Sequence, residues 1–449
     1  MTLKTIAGCL TGLAVALSAH AAGANTLVEE LQGLLESHPQ IEGSRQTVLA
    51  AEEQVDQAFA GYLPKVNLLG DAGWEHVDTP STRARTSTGG SGTFDGQRRT
   101  AGIVATQLLY DGGLTSSSYG SAQLQNTQAN TELSATRQNV LFEGISAYLT
   151  VMRQRELVRL SAQNEDNIKR QLNLEDERVR RGSGIAVDVL QAKSRLQLAK
   201  ERRVATEGAL RDAITRYVQV FGHAPDESKM TAPAAPLGAI PETIDEVIAI
   251  ALQENPSITS AQTQIAIADE QVDAAHAGYL PTVNLEVAGN YNHDKDYVTN
   301  RRDVSVLVKA NWNIFNGFAT RAGVARASFE HAASQNNQQY VRRKIEEQAR
   351  LAWQALDTAR QRVALLENAV NIADEVFTSR RRLREAGKEN AITVLDAENE
   401  VFTARINYTA ALYDARLASY QVLLAMGRLG EPSVVAQDGG KALAVRTDG

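Results

Sequence analysis

The side chains that most often carry chemistry are few and irregularly placed in this chain. Its seven histidines (His20, His38, His76, His223, His276, His293 and His331) show no spacing that would set a pair of them on one metal ion. Cys9 is the single cysteine, so neither a disulfide nor a thiolate cluster can form. No glycine-rich phosphate loop and no nucleophile elbow occurs. Asp294-Lys295-Asp296 could touch a surface cation, but in a polar loop it reads as a solvated hairpin. These features predict a protein that is not an enzyme and that uses no metal and no cofactor. The residues that do stand in order are glycines and charges at two matching places. Gly182-Ser183-Gly184 is followed by Asp188, Val189 and Leu190, and Gly387 is followed by Val394, Leu395 and Asp396. Arginines cluster just before each (Arg178, Arg180 and Arg181; Arg380, Arg381, Arg382 and Arg384), where the negative end of a helix would favour them.

The matching places belong to a duplication. Gly61-Tyr62-Leu63-Pro64 returns as Gly278-Tyr279-Leu280-Pro281, an offset of 217 residues. The offset falls to 205 for Tyr110-Asp111-Gly112 against Phe315-Asn316-Gly317, and for Gly182 against Gly387, so a loop after Trp74 is 12 residues longer in the first copy. A unit of about 200 residues is too long for a solenoid repeat, and each copy should be half of one architecture.

Residues 1–21 carry Lys4, an apolar run and Ala19-His20-Ala21, the pattern of a cleaved export signal. Cys9 lies within it, and cutting there would leave almost no apolar run, so lipidation is not expected. No later run of 18 apolar residues could form a spanning helix, so any membrane span must be made of strands. A formal charge of −7 over 449 residues argues against a nucleic-acid surface. With 5% aromatic residues and long tracts of Ala, Gln, Asn, Ser and Arg, the chain is poor material for one large dry core.

The first copy (22–222) reads as helices broken at His38-Pro39, strands over about 65–77 and 99–110, a long helix over 114–181 and a returning helix over 185–220. The second (242–427) has strands over about 282–293 and 303–315, a long helix over 318–386 and a return over 390–426. A proline-rich linker spans 223–241, Asp78 to Gln97 reads as an exposed hairpin tip, and 428–449 reads as a flexible tail. Val66, Leu68, Ala72 and Trp74 alternate with Lys65, Asn67, Asp71 and Gly73, as do Val283, Leu285 and Tyr291 with Thr282, Asn284 and Glu286. Such strands are long enough to cross a bilayer, with Trp74, Tyr291, Trp312 and Phe315 as interfacial aromatics. The long helices carry narrow apolar seams of the coiled-coil kind. Four strands cannot close a barrel, and lipid does not tolerate open sheet edges, so several chains must share one.

The ordered set in both copies (Gly-Tyr-Leu-Pro, the Asp111-Gly112 and Asn316-Gly317 turns, the turns at Gly182 and Gly387 with Asp188 to Ala192 and Val394 to Ala397) resembles the TolC family of outer-membrane channels over essentially the whole mature chain. The resemblance implies an α+β membrane protein: a homotrimer sharing a twelve-stranded outer-membrane barrel above a long periplasmic helical coiled-coil barrel. It implies a periplasmic adaptor bound at the helix turns (Gly182, Gly184, Gly387, Val189, Leu190, Val394, Leu395) and an inner-membrane ABC or proton-driven transporter. It also implies an entrance narrowed by Asp188 and Asp396, whose carboxylates would repel anions and attract cations if arranged in rings. Where the family carries a latching arginine two residues after the second turn glycine, this chain has Glu389, beside Lys388. The expected function is a passive exit duct for type I protein secretion, favoured by likeness to secretion members that includes Thr79-Pro80-Ser81-Thr82-Arg83. Small-molecule efflux is the alternative cargo, and a soluble periplasmic coiled-coil adaptor the alternative class.

Overall fold

The computed structural model describes residues 27–77, 94–182, 184–233, 235–294 and 301–430. The expected signal with Cys9, most of the loop after Trp74 including Thr79 to Arg83, Ser183, Lys295-Asp296 and residues 431–449 lie outside them. Helices α1 (Leu27–Ser37) and α2 (Pro39–Phe59) lead into strands β1 (Lys65–Val77) and β2 (Phe94–Tyr110), then α3 (Leu114–Arg180) and α4 (Ala186–Phe221). The second copy repeats this as α5 (Ile244–Glu254), α6 (Pro256–Ala277), β3 (Thr282–Asp294), β4 (Arg301–Asn311), α7 (Ala319–Glu385) and α8 (Ala391–Met426). No described helix is long and apolar enough to cross a membrane.

The repeated motifs are local devices that set these boundaries. His38 and Asn255 each hold an extended backbone ahead of a proline at the first helical turn, and Asn255 Oδ1 accepts from Ser257 N at 2.9 Å. Asp111 caps α3, its Oδ2 accepting from Thr115 N at 2.8 Å, and Asn316 bonds Thr320 in the same way ahead of α7. Where the first copy places Gly113 at φ 95°, the second places Phe318 at φ 70°, the single non-glycine residue with positive φ among those described.

One continuous core joins the copies. Leu31 and Leu34 of α1, Tyr148 and Val151 of α3, Tyr217 of α4, Val247 of α5, Leu356 of α7 and Leu423 of α8 are all buried in it. The expected linker packs onto it: Met230 and Ile240 are buried, and Tyr148 Oη donates to Thr231 O at 2.9 Å. Residues 428–430, expected in the flexible tail, pack onto the fold instead: Leu429 is buried and Arg428 Nε donates to Glu254 Oε2 at 2.6 Å. Beyond Met152, Leu356 and Tyr413 the shared core ends, and among the described residues Ile168, Leu172, Leu196 and Ala199 form a separate apolar cluster, inside the α3–α4 hairpin.

The four strands form one antiparallel sheet in the order β1-β2-β3-β4. Strand β2 starts at Phe94 rather than 99, because its ladder with β1 runs on to Val77↔Phe94. Strand β4 ends at Asn311, so the stretch from Trp312 to Phe315 is not strand as expected; Trp312 Nε1 instead donates to Tyr279 O at 3.0 Å.

Candidate functional site

The register sorts the sheet into two chemically opposite faces. Leu68 pairs with Ile103, Ile103 with Gly289, and Gly289 with Val304, so Val66, Leu68 and Trp74, Ile103, Leu285, Val287 and Tyr291, and Val304, Val306 and Val308 share one face. That face is open: Leu68 is 83% and Val304 82% exposed. The opposite face carries polar pairs across strands beside Leu69 and Leu307, with Lys309 Nζ 2.6 Å from Glu286 Oε1 and Asn290 Nδ2 donating to Asp303 at 3.0 Å. An apolar outside and a hydrogen-bonded inside is the pattern of a strand wall between lipid and water. Trp74 and Tyr291 lie toward the loop ends of their strands, while Trp312 and Phe315 lie at the helix end. The nine residue-to-residue steps of β3 from Thr282 to Tyr291 span about 30 Å along the strand, or about 23 Å of height at a tilt of about 40°. That matches the apolar band of an outer membrane.

The helix tips form the second site. Gly182 (φ 77°) and Gly387 (φ 74°) occupy the left-handed position that ends each long helix, and a Cβ on Gly184 would meet Val179 N at 2.8 Å. Of the residues expected to meet an adaptor, Val189, Val394 and Leu395 are buried, which leaves them no surface for a partner. Leu190 is 64% exposed, and Ile185 and Val187 beside it are also exposed apolar groups that sequence reasoning passed over.

The two aspartates have different surroundings. Asp188 is buried at the start of α4, whereas Asp396 is half exposed on α8 and ion-paired with Arg195 of α4 at 2.5 Å. Asp396 therefore lies on an accessible groove with Arg195, Asn399 and Glu400, and Asp188 does not. Among the described residues Glu389 makes no bond across hairpins: its carboxylate accepts from Thr393 Oγ1 at 2.8 Å. Besides Asp396–Arg195, a buried cross-hairpin bond is made by residues the sequence did not single out. Buried Glu175 of α3 accepts twice from Arg384 Nη2 of α7, at 3.0 and 2.8 Å, and once from Arg178 at 3.0 Å. These partners are 209 residues apart, and no local pattern announces them.

A sheet with a lipid face and a water face, carried on paired helices of 67 and 36 residues, is the build of a channel-forming subunit. The profile described as "Outer membrane efflux protein" matches residues 31–223 and 247–428, and the chain belongs to that family. It is 26% identical to the outer membrane efflux protein BepC of Brucella suis over 92% of this chain and 88% of the relative. It is 23% identical to the alkaline protease secretion protein AprF of Pseudomonas aeruginosa over 94% and 90%. The solved outer membrane protein VceC of Vibrio cholerae superposes with a TM-score of 0.76 at 15% identity, covering 89% of this chain and 96% of that one. The protein is thus an outer-membrane efflux channel protein, with its helical part in the periplasm.

Proposed function

We propose that three copies of this chain close their sheets into one twelve-stranded barrel and their helices into a tunnel, making the passive exit duct of a tripartite export machine. The observation that carries this reading is the sheet itself: β1 and β4 are both open edges of a four-stranded wall whose apolar face is bare. In lipid such edges must be paired, and three copies supply twelve strands, above the minimum of eight. A second feature supports the same assembly. At about 100° per residue, Phe318, Phe329, Tyr340, Leu351, Leu365, Ile372, Val376 and Leu383 of α7 and its cap fall within about 60° of one another, and all are exposed. An apolar stripe about 100 Å long on a polar helix fits the seam with a neighbouring copy.

In this duct the tips form the periplasmic entrance, with Asp396 facing the passage and Glu175–Arg384 holding the hairpins of one subunit together. An adaptor with an apolar tip would meet Ile185, Val187 and Leu190 beside the turns at Gly182 and Gly387, linking the duct to an inner-membrane ABC or proton-driven transporter. For cargo we favour unfolded protein, by type I secretion, supported by the likeness to an alkaline protease secretion protein. The likeness to an efflux protein supports small molecules as the second reading. Deleting the gene in its host separates them: loss of a protein from the culture supernatant supports secretion, and drug sensitivity with an unchanged supernatant replaces it with efflux.

A further inference from the structure

Below the shared core, the α3–α4 hairpin meets the α7–α8 hairpin through polar groups. Ser161, Asn164 and Glu175 of α3 lie within about 60° on one helical face, and all three are buried. Three buried side-chain atoms among the described residues have no hydrogen-bond partner, Ser161 Oγ, Arg384 Nε and Glu398 Oε2, and they sit on the elements of this junction, α3, α7 and α8. Buried polar atoms are normally satisfied, so this concentration calls for a reason.

Glu398 is buried in it. Its side chain projects from α8 into a cavity of about 70 Å³ lined by Asn164 and Asn167 of α3, Asp374 and Phe377 of α7, and Arg405. Arg405 is not free to neutralise it, because Arg405 Nη2 is bound to both oxygens of Asp374 at 2.9 and 2.7 Å. From α3, Asn167 and Arg170 are the groups that favour its charge. Arg170 in turn engages Asp166 at 3.5 Å. A carboxylate with one bare oxygen between two hairpins costs free energy, and protonation removes the cost.

We propose that Glu398 is a proton-operated joint: protonated, it lets the two hairpins of a subunit pack together, and ionised, it drives them apart. The inference concerns the regulation of the entrance in the duct reading, although the joint itself is a property of one chain. Burial pushes the Glu398 carboxyl up to about 7 from the ordinary 4.5. A raised value means that the packed state binds more protons than the parted one. The packing is therefore fully favoured below about 4.5 and loses this advantage as pH rises through 7. If parting restores the ordinary value, the packed-to-parted ratio falls about thirtyfold between pH 5.5 and 8.5.

Cys9 is the single cysteine, so in a Cys9→Ser background a spin-label pair can be placed through Lys169→Cys on α3 and Thr403→Cys on α8 of the detergent-purified protein. Pulsed EPR should show a short distance at pH 5.5 and a growing longer population towards pH 8.5. Glu398→Gln should keep the short distance throughout, and Glu398→Leu serves as a second neutral variant should the glutamine fail to fold. A pH-independent distance in the parent, or the same pH response in both neutral variants, overturns the joint. A shift that depends on Glu398 in a protein with no conductance would leave the joint standing and count against the duct reading alone.

Discussion

Two side chains at the tips carry opposite predictions. Glu175 is buried and triply bonded, so Glu175→Gln leaves Arg384 short of its counter-charge at a cost of about 3 kcal/mol. That cost falls on the closed arrangement of the hairpins, and single-channel conductance of the variant should rise. An apolar pair, Glu175→Leu with Arg384→Met, should return it towards the parent value, since well-packed apolar groups can replace a buried ion pair. Conductance unchanged by Glu175→Gln would remove the bond from the entrance. Asp396, half exposed beside Arg195, should bind cations in the passage. Asp396→Ala should weaken block of the current by divalent cations, whereas Asp188→Ala, at a buried position, should leave the block as it was. Equal block in the parent and the Asp396 variant would dismiss the ring.

At the scale of the elements, the turns can be tested apart from the surfaces they present. Gly387→Val puts a β-branched residue at φ 74°, which costs on the order of 1–2 kcal/mol and distorts the tip. Leu190→Glu changes only an exposed side chain and should abolish export while the oligomer, read by native gel, still forms. Loss of the oligomer in Leu190→Glu would mean that this surface is structural. Much of this level was legible in the sequence, because duplication doubles every signal. Pro39 and Pro256, Asp111 and Asn316, and Gly182 and Gly387 mark the same boundaries twice, and the alternation from Val66 to Trp74 gives the lipid face once the strand is granted. What could not be read is which side of a helix turns inward where four helices meet. Leu190 and Leu395 are repeat partners, yet one is exposed and the other buried. Glu389 occupies the place of a latch, while a buried bond across the hairpins is made by Glu175 and Arg384, which only the fold brings together.

For the whole molecule, the account rests on three copies sharing what one copy leaves open. The α7 stripe should hold neighbouring subunits, so Leu365→Glu with Ile372→Glu should yield folded monomers by light scattering in detergent, with helical circular dichroism intact. Trimers of unchanged stability would mean that the stripe faces something else. The bare apolar face of the sheet, with Leu68 and Val304 almost fully exposed, has no place in a soluble periplasmic adaptor. The most direct test is to extract the protein from outer membranes, determine its subunit number by light scattering, and record conductance in a planar lipid bilayer. The account predicts a trimer, extracted only with detergent, with small cation-selective openings. Recovery as a soluble periplasmic protein without conductance would contradict it, because the four strands would then not be crossing lipid.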